Sequence, residues 1–151
     1  MELANPSHLV GEVIQLALAP AFLLVAIGSF LNVVTQRLAR VIDRSRDLEE
    51  KCKSDKNMRR DPAVRSELMS LGRRIQYAQW ATTFCAISAL IIAVLVAVLF
   101  ITDLIKVDAA VPLAVLFSSA MATLIAGILA FMSEVLVATR TVRSQRTVLD
   151  D

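Results

Sequence analysis

Residues 1–36 contain no lysine or arginine, and Lys106 is the only cation between Arg74 and Arg140. Other absences narrow the chemistry. Cys52 and Cys85 are the only cysteines and His8 the only histidine. The cysteines fall in a reducing segment and in an apolar run, so no disulfide is expected. With His8 far from both, no zinc site is expected either. There is no glycine-rich phosphate loop, and His8 has no identifiable acid or nucleophile partner, so the sequence predicts a non-enzyme with no cofactor and no metal.

What the chain has in abundance is apolar length. Hydrophobic residues make up 56% of it and mean hydropathy is +0.63. Ala81–Ile101 and Ala109–Ser133 run for 21 and 25 residues without a charge. As helices these reach roughly 31 and 37 Å, against a hydrocarbon core of about 30 Å. A third apolar stretch, residues 16–34, lacks the basic start of a cleaved signal and leads directly into Arg37 and Arg40, a stop-transfer pattern. Pro20 inside it predicts a kink or a broken start near residues 16–20. Asn5-Pro6-Ser7 reads as a turn or cap, ahead of a short interfacial segment.

The missing cations orient these spans. Twelve of the 16 Lys and Arg residues lie between Arg37 and Arg74, and Arg140, Arg143 and Arg146 follow the last span. By the positive-inside rule the N-terminus is outside and residues 35–80 and the C-terminus are cytoplasmic. The sequence thus predicts an all-α protein, one membrane domain over residues 1–151, with spans at 16–34, 81–101 and 109–134. The lipid bilayer is its first partner. Nucleic acid is not expected, because seven carboxylates are mixed among the cations between Asp43 and Glu67.

Residues 35–80 read as an antiparallel helical hairpin extending the first two spans. Leu38, Val41, Ile42 and Leu48, with the small Ser45 between, recur at helical spacing, continuing the phase of the first span. After a break at residues 54–57, Asp61-Pro62 supplies an N-cap followed by proline at the first helical position. Val64, Leu68, Leu71, Ile75 and Ala78 form the opposing stripe. Arg46/Glu50, Asp47/Lys51 and Glu49/Lys53 are spaced for pairing along an exposed helix.

Three arginines, Arg37, Arg40 and Arg44, share one side of the first helix where it leaves the apolar stretch. They suit anionic headgroups or a salt-bridge network. Glu134, the only ionisable residue inside the third apolar stretch, needs a partner, and Arg37 or Arg40 is expected to supply it, with Asn32 as a hydrogen-bond partner. Arg37, Arg40, Asp43, Arg44 and Glu134 form the candidate salt-bridge or gating network, and Asn32, Gln36, Ser119 and Thr123 a candidate polar face. Two small-residue stripes predict packing faces: Thr82, Ala86, Ala89, Ala93 and Ala97 on the second span, and Ser119, Thr123, Gly127, Ala130 and Glu134 on the third. The latter would equally suit a water-lined pore, which three helices alone do not enclose. Asp103 and Asp108, flanking the outer turn with Lys106, read as helix caps or a weak cation site.

The strings PAFLLVAIGSFLNVVTQRLARVIDRSRDLEE, ELMSLGRRIQYA and LFSSAMATLIAGILAFMSEVLVATRTVR resemble the bacterial membrane family called domain of unknown function 2721. The RLxRxxDRxRxLEE pattern beginning at Arg37 carries most of the likeness, with Arg37, Leu38, Arg40, Asp43, Arg44, Arg46 and Glu134 as matching positions. The resemblance implies a three-helix protein of the bacterial inner membrane and no particular activity. In layout the chain is also similar to the core of Oxa/YidC-type insertases, though it lacks a cation deep in the bilayer. The functions in view are a homo-oligomeric channel or ion-conducting pore, a non-conducting scaffold or partner-docking protein that meets a cytoplasmic protein, and an insertase-like chaperone.

Overall fold

The computed structural model describes residues 6–147, with side chains for residues 14–55 and 57–138. Four helices account for nearly all of this: α1 (Pro6–Ser54), α2 (Lys56–Arg60), α3 (Pro62–Ile105) and α4 (Ala110–Thr147). Asn5 lies outside the described residues, and Pro6 is the first helical residue, where its missing N–H costs nothing. α1 passes through Pro20 unbroken, so the expected broken start is not there. Its lost hydrogen bond is tolerable because the i−4 carbonyl, that of Leu16, is one group in a helix of 49 residues.

Short-range chemistry sets the breaks. Asp55 Oδ1 accepts from the backbone N–H of Asn57 at 2.8 Å and opens α2, and Asp61 Oδ1 accepts from that of Ala63 at 2.8 Å, with Pro62 beginning α3. At the other end of α3, Lys106 takes a left-handed conformation (φ 55°). The N–H of Val107 reaches the carbonyl of Thr102 and that of Lys106 the carbonyl of Asp103, the paired bonds of a Schellman cap. Asp108 then caps α4, accepting from Ala110 N–H at 3.1 Å. Asp103 accepts from Lys106 Nζ at 3.2 Å, so both outer carboxylates have local work.

Three of these helices are long and apolar enough to cross a membrane. Their surfaces agree: Phe22, Val25, Leu90, Leu104, Val111 and Leu129 are among many large apolar side chains exposed. In water such a surface would aggregate, whereas in lipid it is the solvated state. The hydroxyls fit the same solvent. Ser29, Thr35, Thr83, Ser119, Thr123 and Ser133 each donate to a carbonyl one turn earlier in their own helix. A hydroxyl satisfied in this way can face hydrocarbon without loss. The chain is a multi-pass membrane protein.

Buried positions recur every seven residues on all three long helices. On α1 they are Pro20, Ile27, Val34, Val41 and Leu48; on α3, Leu71, Ala78, Cys85 and Ile92; on α4, Ala120, Gly127 and Glu134. A seven-residue repeat is the mark of side chains interlocking along a seam, as in coiled coils. The alanine stripe expected to pack is not this seam: Ala86, Ala93 and Ala97 are exposed, and Ala81, Cys85, Ser88, Ile92 and Leu95 are buried in their place. On α4, Gly127 and Glu134 of the expected stripe do lie in the seam, whereas Ser119 is exposed and its neighbour Ala120 is buried.

The chain divides into two compact units. Met1–Phe30 and Phe84–Ile125 form the first. Its core holds Ala17, Ile27, Cys85, Ile92, Leu95 and Ala120, and the buried Ser88 hydroxyl donates to the Ala120 carbonyl at 2.8 Å. Alanine at 120 leaves that carbonyl open to a side chain from α3, the usual advantage of small residues between membrane helices. Ser88→Ala should lower stability by about 0.6 kcal/mol, the average for such bonds in a membrane protein, and at most about 1.7. Reversible unfolding in mixed micelles measures it, and no change would mean the bond is offset by packing.

Leu31–Thr83 and Ala126–Asp151 form the second unit. Here α1 and α3 share an apolar cluster of Val41, Leu48 and Leu71, with Leu68 and Ile75 packed against it. These are residues of the two predicted stripes.

Candidate functional site

Seam geometry in the second unit decides where its charges go. Arg37 and Arg44 each lie three residues after a buried α1 valine, Val34 and Val41, and Arg74 lies three after the buried α3 residue Leu71. A step of three keeps a side chain on the same side of a helix but at the edge of the seam. Glu134 is in the seam itself, seven residues after Gly127, and only 2% exposed.

A carboxylate that buried must be met by charge. Arg74 meets it directly, Nε and Nη2 both donating to Oε1 at 3.0 Å. Arg37 Nη2 stands 3.5 Å from Oε2, a charge contact without hydrogen-bond geometry, and Oε2 has no hydrogen-bond partner. The Arg37 guanidinium also lies 5.3 Å from the centre of the Phe131 ring, which stabilises a cation over its face. One carboxylate from α4 thus ties together a guanidinium from α1 and another from α3.

A second link joins α1 to α3. Arg44 Nε and Nη2 donate to Glu67 Oε1 at 3.1 and 2.9 Å. Its Nη1 reaches Asp47 Oδ2 at 3.5 Å, and Lys51 Nζ donates to the same oxygen at 2.8 Å. Of the three pairs spaced for helix stabilisation, Asp47/Lys51 is the ion pair closed among the described residues. Between these links opens a cleft of about 540 Å³, lined by Arg37, Arg40, Val41, Arg44, Leu71 and Arg74.

The structure therefore brings Arg37, Arg40, Arg44 and Glu134 to one place and leaves other expected members out. Arg40 lines the cleft but does not pair with Glu134, and among the described residues it forms no ion pair. It sits three residues from Arg37, a turn further from the level of Glu134. Asp43 is exposed and likewise unpaired among the described residues. Asn32 is not a hydrogen-bond partner of Glu134: its Oδ1 accepts from Gln36 Nε2 at 3.1 Å, and both side chains are exposed. Ser119 and Thr123 belong to the first unit, where Ser119 donates to the Leu116 carbonyl at 2.8 Å and Thr123 to that of Ser119.

Arg74 and Glu67 are members that the sequence reasoning missed. A signal for Arg74 existed, since it stands to Leu71 as Arg44 stands to Val41. Glu67 carried no comparable signal, because it is one of seven carboxylates in a charged segment.

No curated protein and no solved structure matches the chain. Residues 17–144 match the family described as Protein of unknown function (DUF2721), a stretch that takes in the buried repeat of all three long helices and every charge of this cluster; the chain belongs to that family.

Proposed function

We propose that this protein is a non-conducting membrane scaffold of the bacterial inner membrane, with its N-terminus outside and its basic α1–α3 extension standing in the cytoplasm as an antiparallel helical hairpin for partner docking. The observation that carries this reading is the state of Glu134. A pore for cations would use that carboxylate, the only acid in the third apolar stretch, on a wet and open surface. Here it is 2% exposed and already held by Arg74 and Arg37. The polar stripe supports the same choice over a channel, because the hydroxyls of Ser119 and Thr123 turn back on their own helix, as does that of Ser133 next to Glu134.

The long helices favour docking. At about 1.5 Å per residue α1 and α3 reach roughly 74 and 66 Å, twice what a bilayer core requires. The excess carries the apolar Val41–Leu48–Leu71 cluster and the Arg44–Glu67 link, which stiffen it. Self-association belongs to this reading: Ala86, Ala93 and Ala97 leave a small-residue face exposed on α3, along which copies of the chain can approach closely. Neither catalysis nor an insertase groove is invoked.

Purified protein in liposomes should give no potassium or chloride flux above empty vesicles, and Glu134→Gln should behave identically. Flux through the wild type that Glu134→Gln abolishes would replace this reading with the channel.

A further inference from the structure

The cleft in the second unit holds more positive charge than its neighbours neutralise. Four guanidinium groups line it, those of Arg37, Arg40, Arg44 and Arg74. Glu134 answers Arg74 and Arg37 together, and Glu67 answers Arg44. Asp47, near Arg44, is shared with Lys51 and so adds little net negative charge to the cleft. The surplus is about two positive charges, close to the charge of a phosphate monoester near neutral pH.

The donors are arranged as well as counted. Arg74 spends Nε and Nη2 on Glu134, and Arg40 spends nothing on an ion pair among the described residues. A guanidinium presents five N–H groups in a fixed fork that matches tetrahedral phosphate oxygens. The carboxylates behind Arg74 and Arg44 hold two of those forks in place, so little side-chain entropy remains to be lost on binding. Val41 and Leu71, both buried, form the apolar part of the lining and give the cleft a side that excludes water.

We propose that this four-arginine cleft binds a terminal phosphate group, one bearing the roughly two negative charges of a monoester, with Arg40 as the guanidinium reserved for it. The group has two sources, the monoester headgroup of phosphatidic acid or inorganic phosphate in solution. The site itself is independent of whether the protein conducts, and its test reads binding rather than flux.

The test uses the full chain in neutral-detergent micelles, with thermal unfolding followed in the presence of phosphatidic acid, inorganic phosphate or phosphatidylcholine. Phosphatidic acid should raise the unfolding midpoint saturably, and phosphatidylcholine should not. In Arg40→Gln the half-saturating concentration should rise at least roughly tenfold, the consequence of losing one charge-assisted hydrogen bond. Arg73→Gln, which removes an exposed cation next to Arg74 but outside the cleft lining, should match the wild type. A midpoint shift with inorganic phosphate as well means that the phosphate group alone suffices, and a shift with phosphatidic acid alone means that the lipid delivers it; each supports the site. Absence of a saturable shift with phosphatidic acid overturns the proposal. So does unaltered binding in Arg40→Gln, or an equal loss in Arg40→Gln and Arg73→Gln, which would make the attraction a diffuse one between basic surface and anionic lipid. Arg40→Lys, which keeps the charge without the fork, serves if Arg40→Gln does not fold, and should fall between the two.

Discussion

Arg74→Leu should destabilise the protein by about 3 kcal/mol, the lower end of the range for removing one partner from a buried ion pair. The cost comes from what is left behind. Glu134 is buried, its Oε1 would lose both bonds from Arg74, and its Oε2 already lacks a hydrogen bond. Arg37 at 3.5 Å remains and keeps the loss below the top of the range. Replacing both charges, as Arg74→Leu with Glu134→Leu, should recover much of the stability, because two apolar side chains in the seam have no unmet charge. The coupling between the two sites should exceed about 1 kcal/mol in a double-mutant cycle. Arg40→Leu, by contrast, should change stability by less than about 0.5 kcal/mol, as a surface substitution does. Equal losses in Arg74→Leu and Arg40→Leu would mean that Glu134 is not the clamp described here.

That contrast between Arg74 and Arg40 was only partly legible in the sequence, and the reason is physical. Arg37, Arg40 and Arg44 share one side of α1 by helical spacing, so any of them is an acceptable partner for Glu134 on local grounds. Which one reaches depends on how α3 and α4 pack around the seam. Partner choice is tertiary information, and Arg74 belongs to an element from which the expected network drew no member.

Legibility followed the solvent. Outside the apolar runs, water separates polar from apolar faces, so Val41, Leu48, Leu68, Leu71 and Ile75 announced the α1–α3 cluster through their spacing alone. Inside the runs nearly every position is apolar or a small hydroxyl that can bond its own helix, and lipid imposes no such separation. There the buried face is set by fit: Ala120 and Ser88 are buried, while the alanines Ala86, Ala93 and Ala97, equally small, are exposed. On α3 small size gave the wrong phase, while on α4 Gly127 and Glu134 of the expected stripe are buried. The caps at Asp61 and Asp108 were readable because capping is settled within three residues of chain.

The clamp at Glu134 and the α1–α3 cluster make different demands on the membrane, and Leu71→Ala separates them. Leu71 is 6% exposed and sits with Val41 and Leu48 in a cluster of few members. Its truncation should cost about 2–5 kcal/mol, the range for buried leucine in a well-packed core. Leu71→Met, which conserves volume, should cost less than about 1.5 kcal/mol. The apolar spans are held in lipid regardless of this cluster, so the loss should appear as local opening of the extension while the spans stay in place. Trypsin reports it, since Arg46, Arg65 and Arg73 are exposed on helical backbone that resists cleavage until it unwinds. With inside-out membrane vesicles, wild-type protein should be cut around the short α2 connection at Arg59 and Arg60, and Leu71→Ala also at Arg46, Arg65 and Arg73. Right-side-out vesicles should protect all of these sites, and cleavage there would reverse the proposed orientation. Identical cleavage patterns in wild type and Leu71→Ala would show instead that Arg44–Glu67 and the Glu134 clamp hold the two helices together without help from the apolar cluster.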